Sequence, residues 1–199
     1  MSRIVISVLA VWIAALLHPT YAQRVPFTEL ARAAAELTHD RVVYDPSYFN
    51  IPYPNGDVPA GKGVCTDVVI RAYRKLNIDL QKEVHEDMRA NFRLYPANWG
   101  LKSCDTNIDH RRVPNLMTFF SRKGEVLKIS SRAEDYLPGD IVTWDLGRGV
   151  THIGIVSDQE AADGRYLVVH NIGSGQEFSD CLFAFKITGH FRYGSGTPQ

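Results

Sequence analysis

The chain reads as two halves with different hydrophobic periods. Up to Arg122, apolar residues recur at helical spacing; from Glu125 they fall in short runs between Gly, Pro and Asp. Leu30, Ala33, Ala34 and Leu37 make one face of a helix capped at Thr28 and running to about Thr38. Val68, Val69, Ala72, Tyr73 and Leu76 mark a second, starting at Cys65 and ending at Asn77. Leu80, Val84, Met88 and Phe92 recur every fourth residue and predict a helix from about Asp79 to Leu94, stopped by Pro96. Leu116, Met117 and Phe120 predict another from about Val113 to Arg122. The second half predicts strands at Val126–Ile129, Ile141–Trp144, Thr151–Val156, Tyr166–His170, Leu182–Ile187 and Gly189–Tyr193. Helices first and strands afterwards imply an α+β fold, with helices packed on a C-terminal antiparallel sheet. With no repeat, low-complexity tract or linker, residues 23–199 read as a single domain.

Two connections stand out. Residues 45–62 carry Pro46, Pro52, Pro54 and Pro59, with an Asn55-Gly56 turn signal and nearby aromatics. Tyr44 and Tyr53 are candidates for the wall of a substrate cleft, although loop aromatics more often pack the loop down. Residues 95–112 form a connection long enough to suggest a functional or cross-linked loop.

The N-terminus has the form of a targeting segment. Arg3 precedes an uncharged apolar run from Ile4 to Leu17, and Pro19 and Thr20-Tyr21-Ala22 follow it. This predicts a secretory signal peptide over residues 1–22; an uncleaved anchor is the rival. After cleavage no stable membrane insertion is expected. The 22 basic and 22 acidic residues balance, and loss of Arg3 would leave a formal charge of −1. Without a basic tail or stripe, no nucleic-acid partner is expected. Oligomeric state is left open, with a monomer as the default. Export to an oxidising compartment with three cysteines suggests one pair plus one free thiol, which predicts a Cys104–Cys181 disulfide and a free Cys65.

Cys65 follows Gly61 and Gly63 and opens a buried helix. Unpaired N–H groups and the positive dipole end there favour a thiolate, so a lowered thiol pKa is expected. His152 opens one strand and His170 closes the next, and a hairpin turning near Asp163-Gly164 would bring the two imidazoles together. The set suggests nucleophile, base and base-orienter, with Asn171 as an alternative third member. Zinc on Cys65, His152 and His170 is disfavoured by the absence of any short paired spacing, so no metal or cofactor is expected.

These words resemble a known superfamily. Cys65 at a helix start, Leu137-Pro-Gly-Asp-Ile-Val142, His152-Ile-Gly-Ile-Val156 and Val169-His170 are similar to the NlpC/p60 cysteine peptidases, which have a papain-like core and commonly cut stem peptides of bacterial cell walls. A closer resemblance is to the bacterial domain-of-unknown-function family 1287, through Gly63-Val-Cys-Thr-Asp-Val-Val-Ile-Arg71, Asn107-Ile-Asp-His-Arg-Arg-Val-Pro-Asn-Leu116, Pro138-Gly-Asp-Ile-Val142, His170-Asn-Ile-Gly173 and Gly189-His190. The resemblance implies a nucleophile at Cys65, a base at His152 and an orienter at His170. It also implies an exported, periplasmic thiol hydrolase of a Gram-negative bacterium, acting on peptidoglycan or a related peptide. A non-catalytic wall-peptide binder and an acyl or amide transferase are the alternatives. The region 79–124 is longer than in typical superfamily members, which bears on substrate. Within it, Asp109, His110, Arg111 and Arg112 are candidates for gripping substrate carboxylates, against a reading as a network pinning the loop. His85 and Glu86 are expected to face solvent, and Asp67 and Arg71 to pair with the loop.

Overall fold

A computed structural model describes residues 27–194; the expected signal peptide lies outside them. The helical half holds α1 (Phe27–Leu37), α2 (Cys65–Lys75), α3 (Leu80–Ala90) and α4 (Val113–Lys123), with a two-residue parallel ladder of β1 (Val43–Tyr44) and β2 (Lys62–Gly63) before α2. The strands follow as β3 (Glu125–Val126), β4 (Ile141–Asp145), β5 (Thr151–Glu160), β6 (Tyr166–His170), β7 (Glu177–Ser179) and β8 (Lys186–Arg192). They form one antiparallel sheet in the order β3-β8-β4-β5-β6-β7. The expected α+β architecture is what the chain adopts. Among the described residues no helix is long and apolar enough to cross a membrane.

Strand alternation splits the core in two. Ile141, Ile153, Ile155, Val169 and Phe191 pack with the buried faces of the four helices. Val142, Trp144, Val156 and Val168 belong to a second cluster with Tyr136, Cys181 and Leu182. Each fully buried side chain of this size contributes roughly 1.5–3 kcal/mol. Helix α2 is buried along nearly its whole length, from Cys65 to Tyr73. It is the central helix, touching α1, α3 and β5.

The Leu-Pro-Gly-Asp turn sets the sheet. Gly139 has φ +90°, and a Cβ there would lie 2.0 Å from the Phe27 carbonyl oxygen, so only glycine fits. The next residue, Asp140, is fully buried and accepts from Leu137 N–H (2.8 Å), His190 Nε2 (2.7 Å) and the Arg192 guanidinium. It fastens the start of β4 to the end of β8. From there the β4–β5 register runs Ile141 opposite Ile155 to Trp144 opposite His152.

Three expectations change, and one strand was not foreseen. The predicted strand at Val126–Ile129 is a strand only over Glu125–Val126. The predicted strand at Leu182–Ile187 is largely a turn, and its β8 portion starts only at Lys186; Trp144 Nε1 donates to the Leu182 carbonyl (2.9 Å) and pulls that segment under the sheet. Strand β7 falls in a stretch too short and polar to show periodicity. The predicted helix to Leu94 ends at Ala90 and passes into a 3-10 turn at Phe92–Leu94, where Asn91 Nδ2 bonds back to Asp87.

Candidate active site

Cys65 is the first residue of α2, after an extended Val64. Asp67 shapes this turn: its Oδ2 accepts the Val64 N–H at 2.7 Å, a cap from within the first turn. Arg111 grips the same carboxylate through Nε–Oδ1 (2.9 Å) and Nη2–Oδ2 (3.0 Å), both side chains being almost fully buried. Thr66 Oγ1 donates to the Arg111 carbonyl (3.2 Å), and Arg111 Nη1 donates to the Ser47 carbonyl (3.0 Å). On the next turn Arg71 pairs with Asp57 (3.0 Å) and donates to the Lys62 carbonyl (2.9 Å), tying down the proline-rich approach. Asp67 thus pairs with the long loop as expected, while Arg71 holds residues 57–62 instead.

The thiol lies between α2 and β5. Burial pushes the Cys65 thiol up to about 12, against the downward pull of the backbone N–H groups of Ile153, Thr66 and Cys65 itself. This reverses the expected lowering: the helix start is present, but at 6% exposure desolvation outweighs it. Among the described residues no hydrogen bond joins the sulfur to His152; its neighbour on β5 is Ile153, one residue along.

The two histidines meet as the hairpin predicts. His152 Nε2 and His170 Nδ1 are 2.7 Å apart, with ring planes at 77°. Gly154 permits this. A Cβ on Gly154 would come within 2.6 Å of Val168 Cγ1 and 3.2 Å of His170 Cβ, so its absence opens the space into which His170 leans. The Trp144 ring flanks His152 at 5.8 Å. Burial, with His170 adjacent, brings His152 down to about 3, and burial brings His170 down to about 4. Both imidazoles are therefore neutral at neutral pH, and the Cys65 thiol is protonated.

Asn171 is not placed as the partner of His152. Its Nδ2 donates to the Gly63 carbonyl (3.3 Å) and its Oδ1 accepts from Gly173 N–H (3.1 Å), so it ties the end of β6 to the approach to Cys65. Beyond His170 stands Cys181, with Sγ 3.7 Å from His170 Nε2. The expected Cys104–Cys181 disulfide is not formed: all three cysteines are free. Cys104 instead clusters with His85 and Asp109 beside α3.

The other candidates separate. Tyr44 pairs with Gly63 in the β1–β2 ladder, and burial together with nearby Cys65 and Asp67 raises its phenol pKa. It is 41% exposed, on the approach to the cysteine. Tyr53 instead packs edge-on against His85 of α3 (5.1 Å). The proposed carboxylate grip does not hold as drawn. Arg111 is consumed by Asp67. Arg112 stacks on Trp99 (4.2 Å), with Nη1 3.8 Å from Asp109 Oδ1. Asp109 is buried and capped onto the Asp105 N–H; His110 is 2% exposed, and burial lowers it to about 3. The charge at this helix entry is a buried network pinning the loop beneath the Cys65 turn. Sequence reasoning missed Gly154, whose signal was the glycine between two apolar residues of a buried strand, and the part-buried His85. It also set Cys181 in a bridge when it sits against His170.

The chain is 52% identical over 177 residues to an Escherichia coli (strain K12) protein described as Uncharacterized protein YijF, covering 88% of this chain and 86% of that one. Among solved structures it is similar to NlpC2 from Trichomonas vaginalis (TM-score 0.45, 16% identity, 88% of this chain) and to NlpC1 from the same organism (TM-score 0.44, 15% identity, 88% of this chain). It spans about half the length of each, 51% and 48%. The family described as Domain of unknown function (DUF1287) matches residues 31–193, nearly all of the described residues, and the chain belongs to that family.

Proposed function

We propose that this protein is an exported thiol hydrolase that cleaves amide bonds in peptidoglycan stem peptides, using Cys65 as nucleophile, His152 as base and His170 as orienter. The observation that carries the reading is the 2.7 Å His152–His170 contact on the strand whose next residue, Ile153, faces the Cys65 sulfur at a helix start. One tautomer chain suits the chemistry. His152 Nε2–H donates to His170 Nδ1, and His170 Nε2–H points to Cys181 Sγ, which leaves His152 Nδ1 free to accept a proton. Substrate entry displaces the buried thiol's surroundings, and the Cys65 proton passes to His152 as sulfur attacks the amide carbonyl. The N–H groups of Cys65 and Thr66, which already act on the thiol, would serve as donors to the oxyanion, an arrangement worth about 10²–10³ in rate. The C–N bond breaks as His152 protonates the leaving amine, and water then hydrolyses the thioester. Interception of that thioester by an amine would give the transferase alternative.

One observation favours a second reading. A thiol at 6% exposure with its pKa driven upward is also what a non-catalytic wall-peptide binder with a papain-like cleft would retain. The test is incubation of the chain lacking residues 1–22 with purified peptidoglycan, followed by mass analysis of soluble products, beside Cys65→Ala. Shortened stem peptides released by the parent protein alone support the hydrolase. Binding to the sacculus by both proteins, with no product from either, supports the binder.

A further inference from the structure

Three metal-binding side chains meet outside the Cys65 site. His85 on α3, Cys104 in the long loop and Asp109 at the start of the 3-10 turn Asp109–Arg111 each bring a donor atom to within 4.8 Å of the others. The cluster is not an exposed acidic patch. Asp109 is 1% exposed, and its Oδ1 is buried with no hydrogen-bond partner; Nδ1 of His85 is likewise buried and unpartnered. Burying a polar atom without a partner is costly, so two such atoms, a carboxylate oxygen and an imidazole nitrogen, beside a thiol need an explanation. The nearest cation, Arg112, stays 3.8 Å from Asp109 Oδ1, beyond hydrogen-bond length, and is held by stacking on Trp99.

We infer that His85, Cys104 and Asp109 form a binding site for a divalent transition-metal ion of the zinc class. The donor set is one imidazole nitrogen, one sulfur and one carboxylate oxygen, the mixture that borderline ions such as Zn²⁺ take and that Mg²⁺ and Ca²⁺ do not. Bond lengths of about 2.0–2.3 Å put donors of a tetrahedral site about 3.3–3.8 Å apart, so closing on an ion needs only a small contraction. Charge also balances: thiolate and carboxylate neutralise a divalent ion once the thiol proton is released, and a water or an external ligand completes four-coordination. Asp109 is already oriented, because its other oxygen accepts the Asp105 N–H. The site would cross-link α3, the 95–112 loop and the turn whose Arg111 clamps Asp67 under Cys65. It gives Cys104 a partner other than sulfur and stands independently of the hydrolase reading.

The test uses Co²⁺ as a spectroscopic probe on the reduced, chelator-stripped protein. One equivalent should bind with a thiolate-to-cobalt charge-transfer band and the visible bands of a tetrahedral centre. Cys104→Ser should lose the charge-transfer band, and His85→Ala should weaken binding by at least about tenfold. His85 is a part-exposed helix residue, so its removal leaves the fold in place, which far-UV circular dichroism checks. Cys65→Ala should keep both band and stoichiometry. No uptake by the parent protein with cobalt in excess would overturn the proposal. So would a band that survives Cys104→Ser and disappears in Cys65→Ala, which would put the ion at the other cysteine.

Discussion

Cys65 shows how two effects at one residue are decided by magnitude. A helix start favours a thiolate by a fraction of a kcal/mol to about 2 kcal/mol, whereas full burial moves a pKa by several units the other way. The resting residue is therefore a protonated thiol. Alkylation by iodoacetamide at pH 7, read at Cys65 by peptide mapping, should be at least about tenfold slower than for a free thiol of pKa ~8.5. The rate should keep rising past pH 9, and His152→Ala should change it little. Fast labelling at pH 6, abolished by His152→Ala, would show instead an ion pair formed without substrate. The helix start at Cys65 and the meeting of His152 with His170 were legible because these residues sit at element ends that local patterns mark. The fate of Cys104 and Cys181 was not: an odd cysteine count says that pairing is expected, but only tertiary contacts with Asp109 and His170 say what each thiol faces.

At the scale of elements, the strands flanking the Asp163-Gly164 turn were readable because β-branched residues alternate across both faces of β5 and β6. The long loop was not, since its order comes from distant side chains: Asn107 accepts Ile51 N–H, Gln81 reaches the Thr106 carbonyl, and Tyr48 bonds Asp105 and Asn107. Two substitutions probe this layer. Gly154→Ala should destabilise by about 1–3 kcal/mol in urea unfolding, because the added Cβ has no room beside Val168 Cγ1. It should also lower any turnover by displacing His170. Arg111→Ala should cost more, about 3–5 kcal/mol, because it strands the buried Asp67 carboxylate. The Arg111→Met, Asp67→Leu double variant should recover part of that loss while disturbing the Cys65 turn. Equal stability of Arg111→Ala and the parent would mean that Asp67 finds water once its partner is gone.

For the whole molecule, the same burial that neutralises the site makes the fold acid-sensitive at an unusually high pH. His110, His152 and His170 fall from an ordinary 6.5 to about 3, about 3 and about 4. Their lowered folded pKa values mean that the unfolded chain takes up protons that the folded chain refuses. Their contribution is complete above pH 6.5 and is lost as pH falls below it. Asp109 acts in the opposite sense. Burial raises its carboxyl from 3.8 to about 6, so below pH 6 the folded state binds a proton that the unfolded state does not, which offsets one histidine. Among these four groups the net uptake on unfolding between pH 4.5 and 6 is about two protons, a slope of at most about 2.7 kcal/mol per pH unit, and Glu83, whose carboxyl burial also raises, reduces it further. Urea midpoints measured from pH 7.5 to 4.5 should hold near neutrality and drop steeply below pH 6.5. His170→Gln should make that drop shallower by about one proton's worth, and Asp109→Asn should make it steeper, since it removes the offset. Stability that stays flat or rises towards pH 5 would mean that the three imidazoles are protonated inside the fold, and the neutral relay from His152 to Cys181 could not then be the resting state.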